Sequence, residues 1–157
     1  MCEACPAVAV HLRPLTEENR VELEALRLAP GQERFLNSVS DALAEADDEP
    51  GGRAIQFGLY DGDTAVGFVM ISDEVDGPGY IAHYLWKLFI DARYQRSGYG
   101  TAALDLVAAY FRDRGVETMW TSAGQGEGGP IPFYERYGFM RTGEIVFDGE
   151  VLLRLDL

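Results

Sequence analysis

Cysteine and histidine are scarce in this chain of 157 residues, with two of each. Cys2 and Cys5 form a CxxC near the start, and His11 and His83 are the remaining soft ligands. A structural zinc site needs a full set of four such ligands from paired motifs, so no metal is expected. The reading for residues 1–7 is a disordered tail. Long apolar runs are also missing. The longest stretch without Asp, Glu, Lys or Arg is the ten residues Gly77–Trp86, about half of the roughly 20 apolar residues a spanning helix requires. Residues 1–6 have no basic segment followed by an apolar one, so the expected location is cytoplasmic, away from membranes.

Positive charge is in short supply as well. Acidic side chains number 26 against 13 basic ones, a net charge of −13. The summed field repels phosphate, which argues against nucleic acid and anionic lipid as partners. The excess is uneven. Residues 1–86 hold 16 acids and 5 bases, whereas 87–157 hold 10 and 8. The first half is an acidic field, and the second leaves room for a local anion site. At 47 % hydrophobic residues the chain has enough apolar material for a core, and its length suits one domain, here 8–157.

Periodicity and turn residues divide that domain into alternating elements. Residues 8–13 alternate as an edge strand. Thr16 then caps a helix with Val21, Ala25 and Leu28 on one face, stopped by Pro30-Gly31. A second helix is expected over 33–46, with Phe35, Val39, Ala42 and Ala46 facing inward. Two strands, 54–60 and 64–72, flank Asp61-Gly62-Asp63 in a hairpin. A long strand is read over 80–90 and a helix over 98–114 with Leu104, Val107, Ala108 and Phe111 inward. A strand at 116–121, a short helix at 131–137 and a closing hairpin (139–147 and 150–157) complete the order β-α-α-β-β-β-α-β-α-β-β. The class is α/β around a mixed sheet.

The richest segment in chemistry joins the long strand to the long helix: Ile90-Asp91-Ala92-Arg93-Tyr94-Gln95-Arg96-Ser97-Gly98-Tyr99-Gly100-Thr101. Glycines at 98 and 100 leave amide N–H groups bare where the helix dipole is positive, an arrangement that suits a pyrophosphate. Lys87, Arg93 and Arg96 against Asp91 make the stretch locally basic. Gly98-x-Gly100-x-x-Ala103 fits a relaxed dinucleotide fingerprint. However, seven residues separate Ile90 from Gly98, and Glu117 lies near the start of the next strand rather than at its end, so a dinucleotide fold does not follow. A P-loop is excluded because no Gly-Lys-Ser/Thr is present.

Gln95-x-x-Gly98-x-Gly100 resembles the acyl-CoA motif of the GNAT superfamily of N-acetyltransferases. Phe133-Tyr134-Glu135-Arg136-Tyr137-Gly138-Phe139 resembles that family's late segment, and the element order is similar over residues 8–157. The resemblance implies the GNAT fold, a mixed and mostly antiparallel central sheet with helices on both faces. It implies acetyl-CoA as co-substrate, with no metal. Leu88, Phe89 and Ile90 would bond the pantetheine arm through their backbone, the thioester lying near Leu88. Gln95, Arg96, Ser97, Gly98, Tyr99, Gly100 and Thr101 would hold the pyrophosphate, and Tyr134 would protonate the departing thiolate. The family also commonly forms homodimers through its late strands.

Two positions depart from the family. Many relatives carry Asn where this chain has Glu127, inside the run Gly124-Gln125-Gly126-Glu127-Gly128-Gly129-Pro130. Animal-type polyamine acetyltransferases place a Glu where Trp86 stands, which leaves His83, Tyr84 or Glu33 as candidate bases or substrate contacts beside Trp86. The stretches 28–35 and 90–95 are similar to bacterial spermine/spermidine (diamine) acetyltransferases. With the acids of residues 16–46, that likeness implies a cationic amine, a polyamine first. Another small amine, an aminoglycoside, a protein N-terminus and a non-catalytic acyl-CoA-binding module are the alternatives.

Overall fold

A computed structural model describes residues 9–147 and 149–157. The tail with Cys2 and Cys5, the first residue of the expected edge strand and Asp148 lie outside those residues. Seven strands form one sheet: β1 Val10–Pro14, β2 Ala54–Asp61, β3 Thr64–Ser72, β4 Tyr84–Ile90, β5 Thr118–Ala123, β6 Met140–Val146 and β7 Glu150–Asp156. Four α-helices accompany them: α1 Glu17–Glu24, α2 Val39–Asp48, α3 Tyr99–Arg112 and α4 Ile131–Tyr137. The spatial order is β1-β2-β3-β4-β5-β7-β6. Only β4 and β5 run parallel; the other neighbours are antiparallel.

Alternation along β3 sends side chains into two cores. Val69 and Ile71 pack with Leu104, Val107 and Phe111 of α3 and with Ile131 and Tyr134 of α4. Phe68 and Met70 pack on the opposite face with Leu23, Val39, Ala42 and Leu43 from α1 and α2. The sheet is thus covered on both faces, with α1 and α2 on one and α3 and α4 on the other.

Three expected elements need correction. Helix α1 ends at Glu24, so the i, i+4, i+7 spacing of Val21, Ala25 and Leu28 runs past the helix; Leu23 and Leu26 are buried instead, and Val21 is 76 % exposed. The second helix does not begin at Glu33. Ser38 caps α2 by accepting the Asp41 amide at 3.1 Å, and Gln32–Arg34 form a separate 3-10 turn. This frees Phe35 from the helix. Strand β4 starts at Tyr84, because His83 adopts a left-handed backbone with φ 55°. Tyr80 and Ile81 therefore turn into a cleft rather than a sheet.

Two irregularities in β4 position that cleft. Pairing with β5 is confined to Tyr84↔Trp120 and Leu85↔Thr121, after which the parallel strands part. On the other side, Met70 pairs Lys87 and Ile71 pairs Leu85, so Trp86 is an extra residue without a partner. A bulge of this kind bends its strand and re-aims side chains. It lies where β4 leaves β5.

Candidate active site

The parted strands open into a cleft of about 1100 Å³. Leu88 and Ile90 line it from β4, Ser122 and Ala123 from β5, and Phe133, Tyr134 and Arg136 from α4.

One end is built from the glycine loop. Gly98 has φ 84° and serves as N-cap of α3 without any side-chain hydrogen bond, and Arg96 is also left-handed at φ 62°. Among the described residues, no backbone carbonyl accepts the amides of residues 96–101. They stand at the positive end of a 14-residue helix, a ready anion site. Arg96 adds formal positive charge there, and Arg136 of α4 lines the same cleft. Bare amides, a loop free of side chains at Gly98 and a strand edge opened beyond Leu85 fit an extended acyl-CoA.

Tyr134 stands on α4 with 7 % of its surface exposed. Burial pushes its phenol up to about 12, and the Thr121 hydroxyl beside it works the other way. The side chain is therefore a protonated donor throughout the neutral range. Ile131–Tyr137 is helical because Pro130 and Pro132 tolerate a first turn, and Gly138 ends it at φ 129°.

The opposite end carries carboxylates. Glu45 accepts the Trp86 indole N–H at 3.0 Å, pairs with the Lys87 ammonium at 3.0 Å and accepts Asn37 Nδ2 at 3.4 Å. Burial tends to raise its carboxyl, but these donors outweigh it and hold the group below its usual range. Glu49 accepts the Tyr80 hydroxyl at 2.6 Å. Glu150 accepts the Ser122 hydroxyl at 2.5 Å, and Ser122 in turn lies 2.6 Å from the Tyr84 hydroxyl. Burial pushes the Tyr84 phenol well up.

Segment 31–36 covers the glycine-rich run 124–130. The Phe35 ring lies on the glycine-rich loop so closely that a Cβ at Gly129 would come within 3.0 Å of it. Arg34 Nη2 donates to the Glu127 carbonyl at 3.2 Å. The run 124–130 is glycine-rich because an aromatic ring covers it, and position 127 contributes its backbone while its side chain is exposed.

Of the residues singled out in the sequence, Tyr84, Trp86, Leu88, Ile90, Gln95, Arg96, Gly98, Gly100, Thr101 and Tyr134 face the cleft. Five sit elsewhere. Phe89 is buried in the core beneath α1 and α2, and Tyr99 donates to Asp61 at 2.5 Å. Ser97 and Glu33 are outside the lining. His83 bonds Asp73 at 3.1 Å and packs edge-on against Phe111, also outside it. Lys87, counted in the basic stretch, pairs with Glu45 instead of serving the glycine loop, and the sequence does not mark Glu49, Ser122 or Glu150 as site residues. Their only sequence signal is charge or polarity, because strand parting and bulges leave no local pattern. Among the described residues no helix is long and apolar enough to cross a membrane.

Comparison with known proteins agrees with this geometry. Residues 12–139 match the acetyltransferase (GNAT) family. The chain therefore belongs to that family, and it is an N-acetyltransferase of the GNAT type that uses acetyl-CoA. It is 26 % identical to a spermine/spermidine N(1)-acetyltransferase of Bacillus subtilis (strain 168) over 156 residues, covering 96 % of this chain and all of that one. In fold it resembles aminoglycoside acetyltransferase AAC(6')-Ib in complex with coenzyme A, with TM-score 0.72, 17 % identity, and 94 % and 95 % of the two chains covered. It also resembles the PaiA N-acetyltransferase of Thermoplasma acidophilum in complex with coenzyme A, with TM-score 0.65, 13 % identity, and 95 % and 99 % covered.

Proposed function

We propose that this enzyme transfers an acetyl group from acetyl-CoA to a primary amine of a polyamine or diamine such as spermidine, by direct attack in a ternary complex. The carrying observation is the division of charge within one cleft. Bare amides with Arg96 stand at the glycine loop, and Glu45, Glu49 and Glu150 gather around Trp86, Tyr80 and Tyr84 at the start of β4. A phosphate-bearing donor and a cationic acceptor are drawn to different ends of the same space. The spermine/spermidine enzyme of Bacillus subtilis, alike over its full length, supports the choice of amine.

Acetyl-CoA supplies an activated carbonyl whose leaving group is a thiolate. Amides of residues 96–101 hold its pyrophosphate, and the free edge of Leu88–Ile90 receives the pantetheine arm. An alkylammonium with a pKa near ~10.4 must lose a proton before it attacks. Tyr84, Ser122 and Glu150 form a relay for it: Tyr84 accepts at its oxygen while its own proton passes to Ser122 and that of Ser122 to Glu150. Tyr134 gives its proton to the leaving sulfur. The products are the acetamide and free thiol.

A thiol-release assay with spermidine, spermine and putrescine tests this reading. Turnover with at least one of them is expected. Turnover confined to aminoglycosides or protein N-termini moves the acceptor class. Acetyl-CoA binding with no thiol release from a broad amine panel makes the domain a non-catalytic acyl-CoA module.

We propose a homodimer joined through β6. This outermost strand exposes Met140 and Ile145 at 51 % and 59 %, and sedimentation equilibrium checks the state.

A further inference from the structure

Lys87 is the only lysine in the chain. Its side chain is 17 % exposed, turned into the cleft one residue before Leu88, with Nζ 3.0 Å from Glu45 Oε2. Trp86 Nε1 donates to the other oxygen, Oε1, at 3.0 Å. Adjacent strand residues ordinarily point to opposite faces. Here both reach one carboxylate because the bulge at Trp86 breaks the alternation. Glu45 is locked from behind as well, since Asn37 Nδ2 donates to Oε2 at 3.4 Å.

The group held there is a primary ammonium on a four-carbon stem, the same chemistry as one end of a diamine. We propose that Glu45 and Trp86 form the seat for the acceptor's distal ammonium, and that Lys87 occupies this seat as a tethered competitor until the acceptor displaces it. This rests on the amine-acetylation reading and names the feature that selects among amines. A tethered ammonium competes at an effective concentration in the millimolar range. Only an acceptor with a second ammonium fills the seat while its first lies at the thioester, so the seat favours diamines and Lys87 tempers that preference. The displaced Lys87 swings into the solvent-open part of the cleft.

Calorimetric titration of spermidine and of butylamine, a monoamine probe, tests the seat on the full chain. If Lys87 leaves the seat free about one-tenth of the time, Lys87→Met tightens spermidine about tenfold, because apparent affinity scales with the competent fraction. Butylamine is expected to gain less than spermidine, since a single ammonium fills either the seat or the acetyl-accepting position and not both. Glu45→Gln weakens spermidine, and in the Lys87→Met/Glu45→Gln double variant the gain disappears. Lys87→Arg keeps the pair and the wild-type constant, and matching melting temperatures show that the variants are folded.

Unchanged or weaker spermidine binding by Lys87→Met overturns the proposal, as does a gain that survives without Glu45. The thiol-release assay separates the two readings. Tighter spermidine binding without turnover keeps the seat and removes the polyamine reaction; turnover with a Lys87→Met constant equal to wild type does the reverse.

Discussion

Gln95 and Gln32 exchange side-chain amide hydrogen bonds in both directions, 2.8 Å from Gln95 Nε2 to Gln32 Oε1 and 3.1 Å back. Gln95 Nε2 also donates to the Ile90 carbonyl at 2.9 Å, and the Ala29 amide donates to Gln32 Oε1 at 3.0 Å. The motif glutamine of the glycine loop thus ties that loop to the segment carrying Arg34 and Phe35. A second tie runs in parallel, from the Arg27 amide to Asp91 Oδ2 at 2.8 Å and from the Ala92 amide to the Arg27 carbonyl at 2.8 Å.

Gln32→Leu removes three hydrogen bonds, two with Gln95 and one from the Ala29 amide, while Gln95 keeps its bond to Ile90. A net hydrogen bond is worth about 1 kcal/mol, or about fivefold in an equilibrium constant. The amine KM is expected to rise by that factor or more, with the acetyl-CoA dissociation constant unchanged. Steady-state kinetics beside direct acetyl-CoA titration checks this, and a variant that loses acetyl-CoA affinity instead makes Gln32 a support of the glycine loop rather than of segment 31–36.

Tyr134→Phe is expected to lower kcat by about 10²- to 10⁴-fold, the range for a positioned acid. Acetyl-CoA affinity should hardly change. Because burial raises the phenol to about 12, Tyr134 stays protonated below that pH. Wild-type kcat should therefore show no falling limb from Tyr134 between pH 6 and 10 (about two units below the phenol). A falling limb in that window, absent in Tyr134→Phe, removes this account; unchanged turnover in the variant removes Tyr134 as the acid.

At Gly98 a pair of near-isosteric variants separates backbone strain from charge. The left-handed conformation at φ 84° costs an ordinary residue about 1–2 kcal/mol, less for Asn and Asp. Gly98→Asn should weaken acetyl-CoA modestly, and Gly98→Asp should weaken it about tenfold or more beyond that, since a carboxylate then faces the phosphates. Equal dissociation constants for the two folded variants count against an anion at this loop.

Asp91, 1 % exposed, accepts the amides of Arg27 and Arg93 and the Arg93 guanidinium. Burial tends to raise its carboxyl, but these donors prevail and lower it. A carboxyl lowered by folding adds stability that is present above its unfolded value, near ~3.9, and is lost as pH falls through the folded one. Asp91→Asn should cost about 1–3 kcal/mol at neutral pH. The deficit should shrink below about pH 4, as denaturant melts across that range would show; a deficit independent of pH contradicts the linkage.

Much of this was legible in the chain because its causes are local. Asp61-Gly62-Asp63 turns β2 into β3, Thr16 caps α1 through the Asn19 amide at 3.1 Å, and Gly98 starts α3. Where local signals competed, the outcome depended on contacts far along the chain. Phe35 sits at helical spacing from Val39, yet Ser38 caps α2 and the Phe35 ring covers the loop at 124–129. Tyr80 and Ile81 have strand-forming side chains, yet His83 bonds Asp73 through its backbone amide at 2.9 Å and the strand begins only after it.

By itself the sequence determined the order of the elements, the family, and the bare-amide loop at 96–101, since caps, turn glycines and apolar periods act within a few residues. Only the tertiary structure decided which acids line the cleft. Register with β3 leaves Trp86 unpaired, and that bulge brings both Trp86 and Lys87 to Glu45. The parting of β4 from β5 exposes Ser122, whose hydroxyl meets Glu150 from β7. Both depend on how neighbouring strands pair, a relation between distant segments that no local window contains.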